Sequence, residues 1–560
     1  MSVHRFVLLV LLGAAGVAGL APQPELLDIL AGELQRNFEV MRQKGDPPPY
    51  YIAYTVTEEE SAAVSASQGT LQSSSADHRR ILDVTVRTGS PELDNYHRLP
   101  GERPRFHAPV SISLDNNPAS IRQRLWLQTD QVYRAAAERL IRVKTSRQVK
   151  VAEEDLSADF SKEEPVIAAD PAMPLRFPME GWRSRARSIS KLFTAHPQIL
   201  ESQVVVQAKR QTKYFVNTEG TRLRHGRLFS RITIAAGTKA ADGMDLTLFE
   251  SFDAAEPAGL PDEGELSKAV HRIAKKLERL SAAPLVEPFV GPAILSGRAS
   301  GVFFHEIFGH RIEGHRQKDE GEGQTFTKKV GQEILPDFLS VEFDPTKKTT
   351  SGVDLNGFYS FDDEGVKARP VAVVEKGVLK TFLMSRTPIE GFSTSNGHGR
   401  KAPGAEVVSR QSNLFVHSLR RFPQKQLRTM LIDEIKKQGK PYGLYFEEVT
   451  GGFTMTGRRG LQAFTVIPVI VYRVYADGRP DEMVRGVDIV GTPLTSFAKV
   501  LATSNEVEVF NGYCGAESGN VPVSAVSPAL LISEIEIQKK DKSDQRPPLL
   551  PRPVVLGGGR

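Results

Sequence analysis

Cysteine is almost absent from this chain: Cys514 is the single one in 560 residues, so no intramolecular disulfide can form. Long apolar runs are missing too. Past residues 6–20, no stretch is long and apolar enough to span a bilayer. An excess of one charge sign is also lacking. Lys and Arg number 72 against 67 Asp and Glu, a net charge of +5, which gives no case for a nucleic-acid partner with its concentrated basic face. No internal repeat of short period is present. What remains is ordinary for a globular protein with buried cores, 40% hydrophobic and 25% charged, and the length allows several domains.

The first residues, MSVHRFVLLVLLGAAGVAGLAPQP, pair a short basic start with an apolar run of secretory-signal length. Ala18, Gly19 and Ala21 offer cleavage points. This predicts a signal peptide over 1–21 and an exported protein, periplasmic or extracellular. A lone thiol there is a liability unless it is buried or bound, which draws attention to Cys514. After the signal, Leu27, Leu30, Leu34, Phe38 and Met41 share one face of a predicted helix that stops at Gly45 and the prolines behind it. Strand-like runs follow at 50–59, 81–89, 202–220 and 227–240, with a turn at NTEG, 217–220. The polar stretch 141–175 reads as a loop or insertion. A second amphipathic helix carries Leu266, Val270, Ile273, Leu277 and Leu280 and runs into Ala283–Pro284. The reading is therefore α+β: a mixed α/β N-terminal domain over 22–284, a mainly β C-terminal domain over 285–540, and a disordered Pro- and Gly-rich tail over 541–560. A hairpin turn is expected at Lys376–Gly377.

The stretch FFHEIFGHRIEGH, 303–315, concentrates His305, Glu306, His310, Glu313 and His315. Zinc peptidases commonly space two helical histidines four apart, which leaves about 40° between them around the helix. Here the step from His305 to His310 is five, about 140° on an undistorted helix, too far apart to share an ion. The spacing predicts a widened or broken helix at Phe308–Gly309. Glu306, beside a candidate ligand, is placed as a water-activating base. A catalytic zinc takes three protein ligands and leaves one position for water. The third ligand can be His315, Glu313 or Cys514. Cys514 is favoured, because NGYCGAESGN is a Gly-flanked turn and a bound thiolate is protected from oxidation.

GVFFHEIFGHRIEG, followed two hundred residues later by NGYCGAESGNVPVSAVSPALLISEIEI, resembles the TldD/PmbA family of metallopeptidases, on the TldD side. Segments 361–383, 393–416 and 449–464 resemble it in the same order, and YFVNTEGT at 214–221 is similar to its N-terminal domain. The resemblance implies one Zn2+ per chain on His305, His310 and Cys514, with Glu306 as the catalytic base of peptide-bond hydrolysis in small or unfolded peptides. It also implies a dimer, either of this chain with itself or with an inactive TldE-like relative. The alternative it leaves is a zinc-containing, non-catalytic, peptide-binding subunit of such a complex. Family members bind an extended peptide alongside a strand, which points to 396–413 and to Asn396, Gly397, His398 and Arg410. His398, Tyr513 and His315 are candidate oxyanion donors, with Glu313 and His315 as supporting groups. Two features depart from the family: His315 stands where many members have Asp, and the better-known members carry no export signal.

Overall fold

The computed structural model describes residues 25–540, apart from 100, 103, 107–108, 150–154, 459–463 and 492–495, together with 546–548 and 550. The predicted signal segment lies outside the described residues, as does most of the predicted tail.

Two antiparallel-rich sheets organise the chain. In the first half, α1 (Leu26–Lys44) leads into the paired strands β1 (Pro49–Ser67) and β2 (Thr70–Ser90). There follow α2 (Pro118–Val149), α3 (Met179–Lys191), β3 (Glu201–Asn217), β4 (Arg222–Lys239), β5 (Asp245–Ala254) and α4 (Glu263–Ala282). The long strands lie in the order β2–β1–β3–β4–β5, each antiparallel to its neighbour. The turn at 217–220 joins β3 to β4, and Gly220 takes the left-handed conformation, φ 104°, that the reversal requires. One expectation is corrected here. Residues 141–149 are not loop but the end of α2, which buries Ile121, Leu125, Val132, Ala136, Leu140 and Val143 along one face. The charged residues that suggested a loop are its solvated side.

The second half begins with β6 (Phe289–Leu295) and α5 (Gly297–Ile307), then β7 (Leu339–Phe343), β8 (Asn413–Ser418) and α6 (Gln424–Lys437). It continues through β9 (Gly443–Thr454), β10 (Phe464–Val474), β11 (Val487–Gly491), β12 (Val500–Ala516) and β13 (Gly519–Lys539). Pairings β13–β11, β11–β10, β10–β9, β9–β6 and β6–β13 close a circuit of five strands. Helix α5 lies against it, with Phe303, Phe304, Ile307 and Phe308 buried in one cluster with Phe326, Phe464 and Phe497. Ser296 caps the helix, its hydroxyl accepting from the Ala299 N–H at 3.1 Å. The Lys376–Gly377 reversal has both residues at positive φ, 45° and 81°, as a tight two-residue hairpin requires.

Candidate metal centre

Helix α5 ends where the histidine spacing demands. Its last bond runs from Phe308 N to Phe304 O at 3.0 Å, and Gly309–Ile312 forms a 3-10 turn opened by Arg311 N to Phe308 O at 2.9 Å. The change of helix type swings His310 back toward His305, so the two rings sit 5.1 Å apart between centroids at 83°. Cys514 arrives from the β12–β13 hairpin, and its Sγ stands 3.3 Å from His310 Nε2. The ligand atoms of His305, His310 and Cys514 all lie within 4.8 Å of one another. Glu306 adjoins them, Oε2 to His310 Nε2 at 3.9 Å. Two glycines leave the room. A Cβ on Gly309 would stand 1.9 Å from Gln411 Oε1, and one on Gly452 of β9 would stand 2.7 Å from Glu306 Cγ.

Charge is arranged around this cluster in a connected shell. Glu313 Oε2 lies 3.5 Å from His310 Nδ1, so the ring is held by its far nitrogen while Nε2 faces the sulfur. Glu313 in turn takes Arg316 Nε at 2.8 Å and lies 3.4 Å from Arg410 Nε. Arg410 donates from Nη2 to the Cys514 carbonyl at 2.6 Å, so one guanidinium ties the Glu313 and Cys514 segments together. Arg311 turns back over the end of α5, donating to the carbonyls of Glu306 and Ile307 at 3.1 and 3.2 Å, a cation at the negative end of a helix.

The local pKa values follow from this setting. Burial pushes the Glu306 carboxyl above its ordinary range, against the pull of His305 and His310. Burial opposes ionisation of Cys514 too, but the imidazoles of His310 and His305 outweigh it and hold the thiol well below its usual range. His310 lies well above its own, because the sulfur and Glu313 outweigh the desolvation. Glu313 is brought down to about 2, burial being overcome by His310 and Arg316.

Of the remaining sequence-derived candidates, Arg410 belongs to this shell and the others turn to further partners. His315 is buried and turns its Nε2 to Glu517 at the hairpin tip. Asn396 bridges 382–384, donating to Phe382 O and accepting from Met384 N, both at 2.8 Å. That stretch pairs with Glu313 through Leu383, so Asn396 supports the turn after His310 from behind. Gly397 accepts at its carbonyl from the Tyr359 hydroxyl at 2.8 Å. His398 is fully buried, with Nε2 3.1 Å from Ser412 Oγ and Nδ1 3.2 Å from Asn396 Oδ1. Tyr513 is 51% exposed on the strand that carries Cys514. Arg410, expected to contact peptide, is instead fully buried beneath the cluster. Sequence reasoning missed Arg311, Arg316, Gln411 and Glu517. The only signal for these four was proximity in sequence, of the arginines to the histidines, of Glu517 to Cys514 and of Gln411 to Arg410.

The family model of the PmbA/TldA metallopeptidase C-terminal domain matches residues 290–539. A metalloprotease of Methanocaldococcus jannaschii is 28% identical over 41% of this chain and 47% of its own length. A zinc metalloprotease TldD homolog of Saccharolobus solfataricus is 23% identical over 44% of this chain and 51% of its own length. The chain thus spans about half the length of these curated relatives. The solved structure of TldE from Thermococcus kodakarensis superposes with a TM-score of 0.61 at 12% identity, covering 91% of this chain and 100% of that one, which establishes the shared fold.

Proposed function

This chain belongs to the TldD/PmbA family through its C-terminal domain, and from that premise we propose that it is a zinc-dependent peptidase acting on small or unfolded peptides. The observation that carries the reading is the convergence of two imidazoles and one remote sulfur beside a buried carboxyl. The donors fit the ion. Tetrahedral zinc with Zn–N and Zn–S bonds of ordinary length sets its ligand atoms about 3.4–3.6 Å apart. The Sγ to Nε2 separation of 3.3 Å suits that geometry, and the His305 ligand atom lies within 4.8 Å of both. His305, His310 and Cys514 would hold one Zn2+, which when bound supplies a Lewis acid for the peptide carbonyl and acidifies its water.

The chain's own residues supply the rest. Glu306 takes the proton from the attacking water and delivers it to the nitrogen of the leaving amine. Its raised pKa suits a group that must both accept and donate within one turnover. Glu313 keeps His310 presenting Nε2, and Arg410 holds the Cys514 backbone against the same carboxylate. Export and a dimer, with itself or with an inactive relative, belong to the same proposal.

The test is peptide hydrolysis by the zinc-loaded protein, its loss on chelation and its return with zinc. Glu306→Gln keeps zinc and lowers cleavage by about 10²-fold or more. Undiminished turnover in that variant would remove Glu306 from the reaction. Intact zinc in the parent with no cleavage of any peptide would leave the non-catalytic, peptide-binding subunit.

A further inference from the structure

A cavity of about 700 Å³ opens between the two sheets, walled by β3 and β4 on one side and by 358–363, 400–403 and the β12–β13 hairpin on the other. Most of the charge in its walls is matched. Glu59 meets Arg79 and Lys209, Asp363 meets Lys213, and Lys401 meets Asp83 at 3.1 Å. Asp362 is held above the usual carboxylate range, by burial first and then by Glu364, and its oxygens are turned to the backbone, accepting from the N–H groups of Glu364, Val366 and Gly399.

Two guanidiniums are left over. Among the described residues neither Arg227 nor Arg400 forms an ion pair, although Arg400 is only 5% exposed. Arg227 donates from Nη2 to Asn356 Oδ1, and Arg400 from Nη1 to the Gln411 carbonyl, with its plane over the Tyr359 ring at 4.7 Å. A guanidinium carries five N–H donors, so most of each fork is unspent in these contacts. Burial lowers both pKa values, that of Arg227 to about 10, and the positive charge of Arg400 adds to the fall at Arg227. Two like charges kept in one desolvated space are costly when the one carboxylate acting on Arg400 from the cavity wall, Asp363, is already paired with Lys213, and an incoming anion relieves that cost.

The cavity adjoins the metal centre through the same residues. Asn356, which receives Arg227, donates from Nδ2 to the Gly512 carbonyl at 2.7 Å, two positions before Cys514. Gln411, which receives Arg400, donates from its side chain to the His305 carbonyl at 3.3 Å. Tyr513 and Val521 in the cavity wall are, respectively, the neighbour of Cys514 in sequence and its partner across the hairpin.

We propose that this cavity is a carboxylate-recognition pocket beside the metal centre, in which Arg227 and Arg400 receive an anionic group of the peptide. That group is either the C-terminal carboxylate or an Asp or Glu side chain. The inference rests on the peptidase reading for its substrate class, and it makes the enzyme selective for anionic peptides. Paired N–H donors in a fork are the geometry that binds a carboxylate best.

The experiment measures binding separately from cleavage. One fluorescent peptide is made as the C-terminal acid, as the C-terminal amide, and as the amide with an internal Gln replaced by Glu. Each is titrated by anisotropy into the zinc-loaded Glu306→Gln protein. One anionic form is expected to bind about tenfold or more tighter than the neutral amide, and which one identifies the source of the carboxylate. Arg227→Gln added to that protein brings the ratio toward one, whereas Arg227→Lys keeps part of it. Equal binding of all three peptides, or a ratio unchanged in both Arg227→Gln and Arg400→Gln, overturns the pocket. Hydrolysis by the parent separates the two readings. Anion-selective binding without cleavage sustains the pocket and ends the peptidase, while cleavage with equal kcat/KM for all three peptides does the reverse.

Discussion

At the residue scale, buried histidines away from the candidate metal centre make stability depend on pH. His398 is fully buried and His225 is 6% exposed. Burial brings both down to about 3, with Arg400 adding to the fall at His398 and Lys213 at His225. The unfolded chain titrates them near 6.5, about the free value. Because the folded pKa lies below the unfolded one, their contribution is complete above about pH 6.5 and declines as pH falls toward 3, by up to about 1.4 kcal/mol per pH unit for each. Asp362 and Glu364, raised chiefly by burial, act in the opposite sense. The measurement is therefore a difference: thermal midpoints of the parent and His398→Gln from pH 7 to 5. The parent is expected to lose more on acidification, and parallel curves would show that His398 carries no such linkage. The same residue marks a limit of the sequence. His305, Glu306, His310 and Cys514 were legible because a five-residue step and a lone cysteine are rare enough to demand explanation. His398 and Arg410 looked like peptide contacts, since nothing in a string tells a buried polar residue from an exposed one.

At the scale of the element, the break after α5 was legible from spacing alone, because two imidazoles five apart cannot meet on a regular helix. Its form, a 3-10 turn, depends on Gln411, a residue distant in sequence whose side chain occupies the space beside Gly309. Gly309→Ala puts a methyl into the buried Gln411 side chain and displaces its bond to the His305 carbonyl. Overpacking of this kind costs about 1–3 kcal/mol. The variant is expected to melt a few degrees lower and to retain less zinc after dialysis, because the turn that aims His310 must shift. Parental melting and zinc content together would mean that the turn does not need glycine. Helix α2 was illegible for a different reason. Its buried stripe is narrow, and its charged outer face dominates a linear reading.

At the scale of the whole molecule, the sequence read two differently composed halves but not how they meet, since the contacts join residues far apart along the chain. Arg386 is the clearest of these. Its guanidinium is 1% exposed, bonds both Glu219 oxygens at 2.7 Å and the Ser161 carbonyl from Nε at 3.0 Å, and lies 4.0 Å from the Phe160 ring centroid. Glu219 sits in the turn between β3 and β4, so this one side chain fastens a reversal of the first sheet to the segment before Asn396. Lys213 with Asp363 and Lys401 with Asp83 fasten the cavity walls in the same way. Arg386→Leu keeps the bulk but removes the donor of the Ser161 carbonyl and leaves Glu219 with Asn217 Nδ2 alone among side chains, and breaking a pair of which only one partner is fully buried costs up to about 3 kcal/mol. Calorimetry is expected to show the loss as an early transition, several degrees below the parent's, in which the two halves part before either unfolds. The anionic-peptide preference should fall in the same variant, since its two arginines come from opposite walls. A variant with unchanged melting and unchanged preference would mean that the halves are held by apolar packing, with the buried ion pair incidental to the shape of the cavity.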